Sequence, residues 1–382
     1  MTGSRVLFVS HTGAVSGAEF VLLDIADNWH DASAFVFEGG ELSNRLAALG
    51  LEVKLARHGS GLSRFRRDGS VWAALGSLRT FAGLVRELIL ESRSVDVIYA
   101  NSQKAFTLSA LAAFIGRKPL IWHLHDILDA RHFGKAQRRM QTFLANLSAW
   151  AVIVPSQAAA DAFIAAGGRR DLVKVVPNGR AVQRDARSKM QLRADLGFPT
   201  AKLLGVFSRL AAWKGQDIVL RALVQCPDVH GVIVGDALFG EDAFATELTR
   251  LVNELGLSDR VSFLGQRSDV PILMQAMDVM VHPSREAEPF GLTLVEAMNV
   301  GVPIIASDAG ASREILDEGR CGLLVPPGDS GKLAGALAQV FADPDSVAVR
   351  TLAATKRAQS VYTVARMQAS IRGIIETIGG RR

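Results

Sequence analysis

Short apolar runs alternate with helix-forming stretches along almost the whole chain, and that alternation leaves few folds open. In the first half the runs are RVLFVS (5–10), SAFVFE (33–38), VDVIYA (95–100), PLIWHLH (119–125), AVIVPS (151–156) and VKVVP (173–177). In the second half they are KLLGVFS (202–208), HGVIVGD (230–236), RVSFLG (260–265), DVMVHPS (278–284), VPIIASD (302–308) and GLLVP (322–326). Most are apolar at successive rather than alternating positions, which is the pattern of parallel strands buried on both faces. Helical patterns such as EFVLLDIADNW and GKLAGALAQVFAD lie between them. Strand–helix units repeated in both halves predict an α/β protein with two doubly wound parallel sheets.

The chain has 382 residues, more than the roughly 100 to 200 typical of one domain. The polar segment RAVQRDARSKMQLRADLG (180–197) follows the turn Pro177-Asn178-Gly179 and precedes a fresh apolar strand, so the boundary is expected there. The expected division is a first domain at 1–179, a linker at 180–200, a second domain at 201–365 and a final helix at 366–382 that packs back on the first domain.

Open parallel sheets bind ligands outside the carboxyl ends of their strands, and two such domains are expected to share a cleft there. The residues at those ends are His11, Asn101, His123, His125, Ser208, Arg209, Gly235, Asp236, Gly265 and the segment after Ser284. That segment contains AEPFGLTLVEAM, with Glu288 and Glu296 eight positions apart around Phe290-Gly291. Eight residues span about 12 Å as helix and about 26 Å if extended. Glycosidase carboxylate pairs sit about 5 to 9.5 Å apart, so simple spacing argues against a hydrolase, although a folded-back loop would shorten the gap.

The alternative is that the two glutamates grip the ends of one extended ligand. A helix that starts near Phe290, Gly291 and Leu292 offers free N–H groups to an anion between them. This suits a nucleotide sugar, with its diphosphate at the helix start. Cations for that diphosphate stand in SRLAAWKGQD (208–217), where Arg209 ends a strand and Lys214 precedes a helix. Each charged hydrogen bond contributes roughly 1.5 to 3 kcal/mol, so Arg, Lys and helix start together could stabilise a departing diphosphate without a metal.

With SRLAAWKGQD, VSFLGQ (261–266), HPSREAEPFGLTLVEAMNVGVPIIASDAG (282–310) and GLLVPPGD (322–329), the second half resembles the donor-binding half of retaining GT-B glycosyltransferases of family 4. The spacing of Glu288 and Glu296 is that family's signature. HTGAVSGAEF, HLHD and VVPNG extend a thinner resemblance into the first half. The resemblance implies GT-B architecture, two Rossmann-like domains facing each other across a cleft. It further implies that Arg209 and Lys214 hold the donor diphosphate, Glu288 orients the donor sugar and Glu296 binds the ribose. By the same resemblance the backbone of Phe290, Gly291 and Leu292 meets phosphate and sugar, and Gly265 and Gln266 border the base. Gly17 stands in the family's glycine-rich loop, where the usual Gly-Gly pair is here Ser16-Gly17. The family's histidine near the anomeric centre is His123 or His125; the strand period puts both on one side, and His125, nearer the carboxyl end, is preferred.

Other chemistries lack their signatures. Neither half has a GxGxxG after its first strand, there is no GxSxG elbow, and the eight His and two Cys form no metal-ligand spacing. The Asp343-Pro344-Asp345 triplet reads as a helix-ending turn and Asn178-Gly179 as a turn. No metal or cofactor is expected. A sugar-nucleotide epimerase or phosphorylase of the same fold, a transferase acting on a small soluble acceptor, and a non-catalytic sugar-binding protein remain as alternatives.

Composition bounds location and partners. Hydrophobic residues make up 49% and charged residues 21%, as in ordinary soluble domains. Two cysteines in so long a chain point to a reducing compartment. No leader pattern opens the sequence, and no run approaches the ~18 apolar residues of a spanning helix, so a cytoplasmic protein is expected. The residues through Met190 carry 24 Lys and Arg against 16 Asp and Glu, while the remainder carries 19 against 22. The basic clusters SRFRR (63–67) and RHFGKAQRRM (131–140) are either solvated faces or contacts for an anionic membrane or phosphorylated acceptor. The expected partners are a nucleotide-sugar donor, a polyprenyl-linked or other lipid-linked saccharide acceptor and the inner membrane face, with no nucleic acid.

Overall fold

The computed structural model describes residues 4–58, 71–238 and 240–379, with side chains left aside in 71–78; the cluster at 63–67 lies outside the described residues. The chain forms two compact units, Met1–Gly179 with Val364–Arg382 and Arg180–Thr363.

The first unit is built on a parallel sheet of β1 (Val6–Ser10), β2 (Ala32–Val36), β3 (Glu52–Leu55), β4 (Val97–Ala100), β5 (Leu120–His123), β6 (Ala149–Val154) and β7 (Val173–Val175), in the order β3-β2-β1-β4-β5-β6-β7. The connecting helices are α1 (Gly17–Ala26), α2 (Glu41–Ala48), α3 (Val71–Ser92), α4 (Gln103–Gly116), α5 (Lys135–Ser148) and α6 (Gln157–Ala165). Strand order runs outward in both directions from the β1/β4 pair. Right-handed crossovers therefore put α1 and α2 on one face and α3 to α6 on the other. The central strands β1, β4 and β5 are buried at every position, which is why their sequences show no alternation. β3 is not apparent in the sequence pattern because EVKL is an edge strand with mostly exposed side chains.

The second unit repeats the plan with β8 (Lys202–Phe207), β9 (Val229–Val234), β10 (Val261–Phe263), β11 (Val279–His282), β12 (Ile304–Ser307) and β13 (Leu323–Val325), ordered β10-β9-β8-β11-β12-β13. Its helices are α7 (Lys189–Leu196), α8 (Gln216–Leu223), α9 (Asp242–Glu254), α10 (Val270–Ala276), α11 (Leu292–Val300), α12 (Ser312–Ile315), α13 (Ser330–Ala342) and α14 (Pro344–Val361). Two apolar layers cover this sheet. One joins Leu294, Val295 and Met298 of α11 to Ala354 and Ala358 of α14. The other joins Ile218 and Leu220 of α8 to Leu248 of α9 and Leu337 of α13.

Segment 180–200 differs from the expected linker. It contains α7, whose Leu192 is buried in the second unit's core while Val182, Leu196 and Phe198 pack against it. Arg193 Nε also donates to Ala276 O at 2.7 Å. A composition this polar hides the few apolar residues that anchor the segment. The closing helix α15 (Val364–Gly379) packs on α1: Gln368 donates to Asp24 O and Asp27 O at 2.8 and 2.9 Å, and the Arg372 guanidinium lies 4.5 Å from the Trp29 ring. Asp343 accepts from Ser346 N at 3.1 Å with Pro344 opening α14, so the Asp-Pro-Asp triplet joins two helices.

Candidate active site

In a doubly wound sheet the crevice opens where strand order reverses, and in the second unit that point is the β8/β11 pair. The loops leaving these two strands carry the predicted donor residues. After β8, Gln216 is fully buried and donates to Ser208 Oγ and Arg209 O, both at 2.9 Å. This bond closes residues 208–216 into a tight loop. Gly215 makes the closure possible: its φ is +73°, and a Cβ there would lie 2.2 Å from Pro283 O. The loop presents Trp213 between two cations, with Lys214 Nζ 4.3 Å and the Arg209 guanidinium 5.4 Å from its ring.

After β11 the chain turns through Pro283 to Gly291 before α11. Glu288 is buried at 6% exposure and surrounded by donors. Lys214 Nζ lies 2.7 Å from its Oε2, His282 Nε2 lies 2.8 Å from its Oε1, and the Ser284 hydroxyl donates to Oε1. Burial alone would raise this carboxyl, but the Lys214 ammonium and the His282 ring outweigh it and hold it well below the usual carboxylate range. The next loop fixes it from behind. Gly310 has φ +58°, a Cβ on it would fall 2.4 Å from both N and O of Glu288, and Ala311 N donates to Glu288 O at 3.1 Å.

Four residues beyond Glu288, α11 begins at Leu292. Its N-cap is Gly291, at φ +133°, and no side chain caps the helix. Its first N–H groups have no acceptor within the helix and no capping side chain, a geometry able to meet an anion. One turn into α11, Glu296 Oε1 pairs with Arg180 Nε at 2.8 Å, and Asn299 donates to Arg180 O at 3.1 Å. Gly265 accepts from Gly235 N at 2.8 Å with φ +63°, placing the turn after β10 beside Gly235. Gln266 is exposed there.

In the first unit the reversal lies between β1 and β4, and polar side chains gather there. His11 Nδ1 is 2.9 Å from Ser102 Oγ. Asn101, fully buried, donates to Ala18 O at 3.1 Å, which turns its Oδ1 toward His125 Nε2 at 3.0 Å. Since that oxygen only accepts, His125 carries its proton on Nε2. Burial lowers the His125 pKa to about 3 and, helped by Lys104, lowers that of His11 to about 4. Both rings are neutral at physiological pH. His123 is buried beside them, 2.7 Å from the Tyr99 hydroxyl and 3.9 Å from the His125 ring. His125 is the more accessible of the pair. Gly17 opens α1 next to Ser16, whose N and Oγ both donate to Glu19.

The structure thus brings Arg209, Lys214 and Glu288 to one place, with the start of α11 next along the chain. Trp213, His282, Ser284 and Arg180 are additional residues of this site that the sequence pattern does not single out. His282 and Ser284 have a usable signal, since HPS stands at the end of a strand; Arg180 and Trp213 have none without the fold.

Known proteins match along most of the chain. Residues 188–357 match the family model for glycosyl transferases group 1, and residues 40–184 match that for glycosyltransferase family 4. The crystal structure of Anabaena Alr3699/HepE in complex with UDP and glucose superposes with a TM-score of 0.88 at 37% identity, covering 98% of this chain and 100% of that one. The chain belongs to the group 1, family 4 glycosyltransferases of GT-B architecture. Within this family it is 32% identical over 232 residues to the lipopolysaccharide core biosynthesis mannosyltransferase LpsB of Rhizobium meliloti, covering 57% of this chain and 66% of the relative. It is 33% identical to the mannosyltransferase LpcC of Rhizobium leguminosarum, covering 49% and 54%. The matched segments therefore span between about half and two thirds of these curated relatives.

Proposed function

We propose that the protein is a retaining, metal-independent hexosyltransferase that moves a sugar from a nucleoside diphosphate, taken to be UDP, to an acceptor hydroxyl in surface polysaccharide or glycolipid assembly. The observation that carries this reading is the buried Lys214–Glu288 pair at the β8/β11 switch point, followed by the uncapped start of α11. The UDP and glucose in the HepE complex and the lipopolysaccharide function of LpsB support the choice of donor and pathway class.

In this reading the ammonium of Lys214, paired with Glu288 when no donor is bound, turns to the diphosphate together with Arg209. Glu288 stays ionised against His282 and Ser284, free to accept hydrogen bonds from sugar hydroxyls. The N–H groups of Gly291 and Leu292 meet the phosphate, and Glu296 takes the ribose hydroxyls. Gly265 and Gln266 border the base. As the bond from the anomeric carbon to the β-phosphate oxygen breaks, negative charge builds on the diphosphate, where these cations and the helix start are already placed. The new glycosidic bond forms on the face the diphosphate leaves, so the departing phosphate oxygen is the base at hand for the acceptor proton. The first unit carries the acceptor. His125, with its pKa near 3, is too weak a base at neutral pH and serves as a neutral hydrogen-bonding group.

The test is transfer from UDP-hexoses to lipid-linked and soluble saccharides in excess chelator, with the anomeric configuration of the product read by NMR. An inverted product removes the retaining assignment, and activity that disappears with chelator and returns with a divalent cation removes metal independence. Conversion of the donor to another sugar nucleotide without acceptor replaces the reading with an epimerase.

A further inference from the structure

Trp213 is the single tryptophan of residues 180–382; the other four, Trp29, Trp72, Trp122 and Trp150, all precede residue 180. It stands immediately before Lys214 in a loop tied down at several points. Its carbonyl accepts from Arg285 N at 2.8 Å, Lys214 N donates to Ala211 O at 2.8 Å, and Gln216 closes the loop on Ser208 and Arg209. The backbone that carries the indole is thus set by the fold, and the ring itself is half-buried.

The ring's neighbours give it a role. Lys214 Nζ lies 4.3 Å and the Arg209 guanidinium carbon 5.4 Å from its centroid, both inside the roughly 6 Å over which a ring face attracts a cation, and indole is the strongest such face. One side chain therefore gathers two like charges that repel each other. A carboxylate would gather them too, but it would cancel the charge that a diphosphate needs; the neutral ring leaves it intact. Glu288 holds Lys214 from the other side, and that contact ends when the ammonium turns to the diphosphate in the mechanism above. The indole contact can persist through the turn, because a flat π face has no fixed lone-pair direction and keeps its attraction as a cation moves over it. We infer that Trp213 is a positioning residue for the transfer, holding Arg209 and Lys214 together for the diphosphate, with its ring still beneath both when the ligand is bound. The inference rests on the donor reading and adds to it how the two charges are kept in place.

Fluorine on the indole drains negative charge from the ring face while hardly changing its size, which separates attraction for cations from packing. The experiment is calorimetric binding of UDP to the full chain grown with tryptophan or with mono-, di- or trifluorinated tryptophan, for the wild type and for Trp213→Phe. The variant keeps a ring but takes no label at 213, so it reports what the four labelled residues of the first unit do. UDP binding to the wild type is expected to weaken with each added fluorine, by roughly tenfold across the series, while Trp213→Phe gives one Kd throughout. Without fluorine, Trp213→Leu is expected to bind UDP roughly tenfold more weakly than Trp213→Phe, at a similar melting temperature. A wild-type Kd that stays within about twofold across the series overturns the inference. A Kd that falls with fluorination also overturns it, because the ring then competes with the diphosphate for the cations. UDP that binds neither the wild type nor Trp213→Phe removes the UDP-donor reading and this inference with it, whereas tight binding indifferent to fluorine removes the inference alone.

Discussion

Removal of the Lys214 ammonium should damage stability and catalysis for separable reasons. The Lys214 and Glu288 side chains are only 12% and 8% exposed, and their charged atoms are 2.7 Å apart. Taking one partner from a buried ion pair typically costs about 3 to 5 kcal/mol, because the other charge is left uncompensated. Here His282 and Ser284 still face the carboxylate, so about 2 to 3 kcal/mol is expected for Lys214→Ala. For a unit of this size, each kcal/mol shifts the melting temperature by about 2 to 4 °C. The double variant Lys214→Ala/Glu288→Gln removes the stranded charge as well and should recover most of that loss in calorimetry. Catalysis should not recover. One or two charged hydrogen bonds to the departing diphosphate contribute about 3 to 4 kcal/mol, a fall in kcat/KM of roughly 10²- to 10³-fold, read by release of nucleoside diphosphate. If Lys214→Ala keeps more than about a tenth of wild-type kcat/KM, the phosphate role fails. If it melts no lower than the wild type, the electrostatic account of Glu288 fails.

Three further outcomes follow from the same geometry. Gly310→Ala places a methyl group against the Glu288 backbone at positive φ and should cost about 1 to 3 kcal/mol in urea unfolding, with a larger loss of activity than of stability. Glu296→Ala should raise the KM for the donor roughly 10- to 100-fold through lost ribose contacts with a smaller change in kcat; a change confined to kcat contradicts the ribose role. Acid should weaken the fold in two windows. The His11 and His125 pKa values are lower in the folded chain, so their stabilisation is complete above 6.5 and is lost as pH falls toward about 4 and about 3, with a slope of up to ~1.4 kcal/mol per pH unit per ring. The contribution of Glu288, whose folded pKa is depressed, is complete above its ordinary value of 4.5 and is lost below it. His125→Gln should flatten the first window and Glu288→Gln the second in denaturation followed against pH.

The fold was largely legible because buried parallel strands write themselves as unbroken apolar runs: all six strands of the second unit and six of the first stand out in the sequence. β3 did not, since an edge strand with exposed side chains lacks the run, and α7 was hidden in a polar segment held by a few apolar anchors such as Leu192. Arg209, Lys214 and Glu288 could be named from motif and position at strand ends. Their mutual arrangement could not, because it depends on close approaches at Gly215 and Gly310 between loops far apart in sequence. Arg180 was invisible as a partner of Glu296, 116 residues away. His125 and His123 could not be told apart by strand period; their different accessibility and partners distinguish them.

The most direct test of the donor site is a thermal-shift titration in chelator with UDP-, GDP- and TDP-sugars, on the wild type and on Lys214→Ala. A ligand that binds the folded state raises its melting temperature in proportion to the logarithm of its concentration over Kd. The account predicts a rise with UDP and UDP-hexose, little with free hexose, and a much smaller rise for Lys214→Ala at the same concentrations. No rise with any nucleoside diphosphate sugar, or an equal rise in the variant, would contradict it.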